Sequence, residues 1–144
     1  MDDIAGFMTA EHRACDELFA DAEAAVGAGD WTLAEERFEA FAELTLRHLR
    51  REEQVLFPAF EERTGMIDGP TVVMRQEHDQ MRMLLESMRE ALGEHDVDRF
   101  LGDADTFMIL TQQHDMKEEQ VLYPMSDATF GSDVAGVLHR MREV

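Results

Sequence analysis

A chain of 144 residues with 44% hydrophobic residues is long enough to bury one sizeable core and too apolar for a disordered segment. Its formal net charge of -19 at pH 7, from 13 basic against 32 acidic residues, repels nucleic-acid phosphates and anionic lipid and draws cations instead. The single cysteine, Cys15, excludes an intrachain disulfide; with no signal-peptide pattern in MDDIAGFM and no apolar run of bilayer length, the expected setting is cytoplasmic, without membrane or nucleic-acid partners.

The predicted elements are all helical, because no run alternates apolar and polar residues with β-branched enrichment. A first helix near 3–27, ended by Gly27 and Gly29, carries Met8, His12, Cys15 and Phe19 on one face. Asp30 suits the cap of a second over 31–63, which Thr64-Gly65 ends. Its inward face is Phe41, Leu44, His48, Glu52 and Val55. Pro70 suits the first turn of a third helix over 70–93, with Met74, His78, Met81 and Leu85 inward. Asp96 caps a fourth over 97–125, with Phe107, Leu110, His114, Glu118 and Val121 inward. A short fifth helix is expected over 132–143, capped by Ser132. Pro58 and Pro124 fall inside the second and fourth helices, which predicts a bend or break shortly after Glu52 and Glu118. The reading is all-α: one domain over 1–144, an up-and-down antiparallel four-helix bundle with a short C-terminal helix.

The chain repeats itself. Residues 48–58 read HLRREEQVLFP and residues 114–124 read HDMKEEQVLYP, an offset of 66 that also pairs Glu11-His12 with Glu77-His78. The halves, about 4–63 and 70–126, are expected to be related by a pseudo-two-fold axis. The midpoint of His12 and His48 is residue 30, that of His78 and His114 is residue 96, and that of His48 and His78 is residue 63. Each midpoint falls at or beside a predicted turn, so all four histidines should share one layer of an antiparallel bundle.

Residues four apart share a helix face, so His48 with Glu52 and His114 with Glu118 can reach one ion or two adjacent ions. His12 and His78 face them. Four imidazoles and two carboxylates in an apolar core suit a dinuclear site, with roughly four protein ligands per metal if both glutamates bridge. Iron, manganese and zinc all fit that donor set, and thiolate chemistry is not indicated.

These residues resemble the hemerythrin-like family, or HHE cation-binding domain, over about residues 4–126. The resemblance rests on His12, His48-x3-Glu52, His78 and His114-x3-Glu118 in the family's order, with the repeated EEQVLFP and EEQVLYP tails. It implies a non-haem di-iron centre, with manganese or zinc as the alternatives. His12 and His48 would serve one metal, His78 and His114 the other, and Glu52 and Glu118 would bridge. It also implies a small diatomic or peroxide ligand at open positions. Oxygen-carrying members have a second histidine one turn from the third-helix histidine; here those positions are Met74 and Arg82. The fourth-helix acid follows His114 by four residues instead of five, with Glu119 at the later position. The expected role is therefore sensing or handling of oxygen, nitric oxide, redox state or iron. An enzyme acting on peroxide, oxygen or nitric oxide, or in iron–sulfur cluster repair, is the alternative, and metal storage a weaker one.

His95 and His139 lack repeat partners and are expected on the surface. Glu53 and Glu119 read as surface acids or supports for ligands, and Glu11 and Glu77 as flanking residues. Asp16 and Arg82 are repeat partners and are expected to form an ion pair, with Arg82 also limiting access to one metal. The 11 methionines read as adaptable core packing, and Cys15 as a small core residue. Tyr123 replaces Phe57 in the repeat; five residues past Glu118, it is expected to donate a hydrogen bond near the site without binding metal.

Overall fold

The computed structural model describes residues 2–144. Helix α1 runs Ile4–Gly27 and returns along α2, Trp31–Arg51. α2 continues without a break through a π-helical turn, Glu52–Leu56, into α3, Phe57–Thr64. The second half repeats this: α4 at Pro70–Gly93, α5 at Val97–Lys117, a π turn at Glu118–Leu122 and α6 at Tyr123–Phe130. A 3-10 turn, Gly131–Asp133, leads into α7, Val134–Arg142. The described residues contain no strand, and the fold is an all-α bundle. None of its helices is long and apolar enough to cross a membrane.

The turns form as the sequence dictates. Asp30 accepts a hydrogen bond from the Leu33 amide at 3.2 Å, and Asp96 from the Arg99 amide at 3.1 Å. Gly65 ends α3 with φ of 73°, a conformation that glycine adopts without steric cost. The hairpin turn of the first half uses Gly29 at φ 72°; its partner in the second half, His95, takes φ 54° and stacks on Trp31 with ring centroids 4.4 Å apart.

Three expectations change. The prolines do not break the helices but sit just after π turns. Proline lacks an N–H, so Pro58 and Pro124 cannot bond the carbonyls four residues back. The preceding N–H groups, of Phe57 and Tyr123, reach five residues back to Glu52 and Glu118. The fourth helical segment therefore runs on to Phe130. Ser132 does not cap the last helix; it lies inside the 3-10 turn. Val121 is exposed although its partner Val55 is buried, because α7 packs over the first π turn and has no counterpart over the second.

Apolar clusters lie on both sides of the histidine layer. Phe19, Phe38, Phe41, Met81, Leu85, Phe100 and Phe107 fill the end with the two hairpin turns. Ile4, Met8, Leu56, Phe57, Phe60, Met74 and Leu122, with Val137 and Met141 of α7, fill the other. The polar layer is thus enclosed along the bundle axis by tightly packed side chains.

Candidate metal centre

His12 comes from α1, His48 from α2, His78 from α4 and His114 from α5; Glu52 and Glu118 open the two π turns. All six side chains are buried, and Glu52, His78 and Glu118 have no exposed surface at all. His12 Nε2 lies 3.1 Å from His48 Nε2. The His78 and His114 rings are 5.0 Å apart. Glu52 Oε1 stands 3.0 Å from His78 Nε2 and 3.7 Å from His48 Nε2. Glu118 Oε1 stands 3.2 Å from both His12 Nε2 and His114 Nε2. Each carboxylate therefore lies between a histidine of one half and a histidine of the other.

Those distances are short, yet they are not all hydrogen bonds. Glu52 Oε1, His78 Nε2, His114 Nε2 and Glu118 Oε2 are buried without a hydrogen-bond partner among the described residues. A buried polar atom without a partner costs on the order of 1–3 kcal/mol, so four in one spot need a common explanation. Atoms that share one ion at about 2.1 Å stand about 3 Å apart across a right angle, with lone pairs aimed at the ion and not at each other. Glu52, His78, His114 and Glu118 form one such cluster, and His12, His48 and Glu118 a second. The donor set fits a bound metal cation.

The outer edges of the rings are held too. His12 Nδ1–H donates to Glu119 at 2.8 Å, and His78 Nδ1–H to Glu53 at 2.7 Å. His48 Nδ1–H donates to Glu11 at 3.0 Å, and His114 Nδ1–H to Glu77 at 2.9 Å. Each imidazole thus turns Nδ1 to an outer carboxylate and Nε2 inward, the arrangement that orients a metal-binding histidine. Glu11 and Glu77 are therefore not mere flanking residues. The adjacency in Glu11-His12 and Glu77-His78 carried the signal, since each glutamate reaches the histidine of the neighbouring helix. Arg51 pairs with Glu11, and Lys117 pairs with Glu77 at 2.7 Å. The ion pair expected between Asp16 and Arg82 does not form: Arg82 holds Glu53 through contacts of 2.5 and 2.9 Å. His95 and His139 are exposed and take no part.

The electrostatics follow from crowding carboxylates and imidazoles into a dry layer. Burial raises the Glu52 carboxyl, and the Glu118 charge beside it raises it further. Burial works against ionised Glu118 as well, but the charge of His114 and the surrounding hydrogen bonds hold it well below the usual range. Burial alone would neutralise His12 and His114; the Glu118 carboxylate instead lifts them to about 9 and about 10. Burial likewise opposes ionisation of Glu53, yet His78 and Arg82 bring it down to about 2.

A family model described as Hemerythrin HHE cation binding domain matches residues 3–126. The chain belongs to this hemerythrin family. No curated protein and no solved structure matches it. Like its family, this hemerythrin-like domain is a cation-binding domain, and its buried His/Glu groups are able to hold a metal. Replacing Glu77 with glutamine keeps the shape but removes the charge behind His114. Metal affinity is expected to fall by about 10–100-fold, read by competition with a chelator, while the stoichiometry stays unchanged.

A cavity of about 20 Å³ adjoins the histidines on the phenylalanine side, with room for one water-sized molecule. Phe19, Phe41, Met81 and Phe107 line it, with Cys15 half-buried at its wall. Thr45 and Thr111, repeat partners, also line it, and their hydroxyls are buried without hydrogen-bond partners among the described residues.

Proposed function

We propose that this domain holds a non-haem di-iron centre and uses it to bind or sense a small ligand such as dioxygen, nitric oxide or peroxide. In this reading His12 and His48 would hold one metal and His78 and His114 the other, with Glu52 and Glu118 shared between them. The observation that carries it is the convergence of four unpartnered buried donor atoms, from Glu52, His78, His114 and Glu118, in a layer closed by apolar side chains. Hard oxygen and borderline imidazole donors suit iron, with manganese and zinc as the competing ions. A bound iron pair would supply Lewis acidity and one-electron redox chemistry at coordination positions the protein leaves open.

The chain's own residues set what can reach those positions. The four outer carboxylates keep each Nε2 available. The phenylalanines around the adjoining cavity give it an apolar wall, and its small volume excludes a large substrate. The Thr45 and Thr111 hydroxyls are free to hydrogen-bond such a molecule. Met74, one turn before His78, is buried and offers no further imidazole, and Arg82, one turn after, is engaged by Glu53.

Elemental analysis after iron-replete expression is expected to give about two irons per chain; finding no metal overturns the reading. Anaerobic reduction followed by oxygen or nitric oxide then separates the roles. A reversible absorbance change supports binding or sensing. Sustained turnover of oxygen, nitric oxide or peroxide supports an enzyme, which the same cavity would serve.

A further inference from the structure

Tyr123 breaks the two-fold symmetry at the centre of the cage. It occupies the position of Phe57 in the repeat, and both side chains are fully buried. Phe57 lies against His78 with ring centroids 5.5 Å apart. Tyr123 lies against His12 with centroids 5.7 Å apart. Its hydroxyl oxygen stands 2.7 Å from Glu52, 3.0 Å from Glu118, 3.2 Å from His12 Nε2 and 3.3 Å from His48 Nε2.

A phenol carries one proton, so it can donate one hydrogen bond, and Glu52 at 2.7 Å would satisfy it. Burying a tyrosine needs one polar partner, not four. The other three contacts, at 3.0 to 3.3 Å, are spaced as donors around one ion are spaced, about 3 Å for bonds of about 2.1 Å. The π turn puts the oxygen there. The Tyr123 amide bonds the Glu118 carbonyl, so residues five apart lie one turn apart. On a regular helix the same spacing would turn the ring away from Glu118. A second difference falls on the same side: Asp115, where the first half has Leu49, places a carboxylate oxygen 3.3 Å from His12 Nε2.

We propose that the Tyr123 oxygen is a direct donor to the metal held by His12 and His48, which makes the two halves of the centre chemically different. This rests on the dinuclear reading above. Ligation replaces the phenolic O–H bond with an O–metal bond; the proton leaves to solvent and no electron is transferred. The His12/His48 half then offers an anionic, oxygen-rich set that favours a hard, higher-valent cation. The His78/His114 half, faced by Phe57, has no such phenolic donor.

The chain contains one tyrosine, so any tyrosinate signal reports Tyr123. Protein loaded with ferric iron is expected to show a visible phenolate-to-iron charge-transfer band and resonance-enhanced tyrosinate vibrations. Tyr123→Phe, which copies the Phe57 packing of the other half, is expected to lack both signals at whatever iron content it retains, measured on the same sample. Loading the wild-type protein with zinc should give the ultraviolet difference spectrum of one ionised tyrosine. A full complement of iron with no tyrosinate signal in the wild-type protein overturns this proposal and leaves the metal reading standing. Persistence of the band in Tyr123→Phe does the same. Failure to bind any metal overturns both.

Discussion

Glu118→Ala is expected to lower metal content from about two per chain to about one or fewer, the largest loss of any single replacement in the site. Glu118 Oε1 lies 3.2 Å from histidines of both halves, and the residue belongs to both donor clusters. Glu52 is less central, because its Oε1 is 3.0 Å from His78 but 3.7 Å from His48. Glu118→Gln tests charge separately from shape. It keeps a carbonyl oxygen in place but removes the negative charge that offsets the cations. Its metal content is expected to lie between those of Glu118→Ala and the wild-type protein. Both variants should stay helical, because without the carboxylate His12 and His114 lose the partner that keeps them charged and revert to neutral imidazoles. Elemental analysis beside circular dichroism checks both statements. Full metal content in Glu118→Ala would remove Glu118 from the site.

Helix order and the shared histidine layer were legible because both depend on spacing. Antiparallel helices with short turns place residues by counting from the turn, and an exact offset of 66 repeated the count. What was not legible depends on the π turns. Nothing in the local pattern EEQVL distinguishes a π turn from an α turn, and the prolines that follow read as breaks. The added residue per turn shifts everything after Glu52 and Glu118. It brings Tyr123 back to the face of Glu118, where the regular period puts it elsewhere. Glu53 and Glu119 read only as surface acids or supports, and their hydrogen bonds to His78 and His12 across the bundle required the fold. The exposure of Val121 depended on α7, which has no repeat partner to reveal its docking site.

In the second expected result, the metal-free protein loses stability as pH rises from about 6.5 to about 10, and the metal-loaded protein does not. His12 and His114 have an ordinary value of 6.5 and are raised to about 9 and about 10 when folded without metal. A group raised on folding adds stability that is complete below its unfolded value and is lost as pH climbs through its folded value. Asp115, which burial raises from 3.8 to about 7, acts in the same direction over a lower window. The shift at His12 alone is worth on the order of 3 kcal/mol, and the two histidines share Glu118, so their contributions do not add. Bound cations take over the role of those protons. They require neutral imidazoles, so loading at neutral pH should release protons and remove the slope. Metal at about a thousandfold excess over its Kd adds about 4 kcal/mol, and a chain of this size shifts its Tm by about 2–4 °C per kcal/mol, so chelation should lower Tm by about 8–16 °C. Thermal melts of chelated and loaded protein between pH 6 and 10 measure both effects. A flat metal-free profile would show that the buried carboxylates are balanced without the histidine protons.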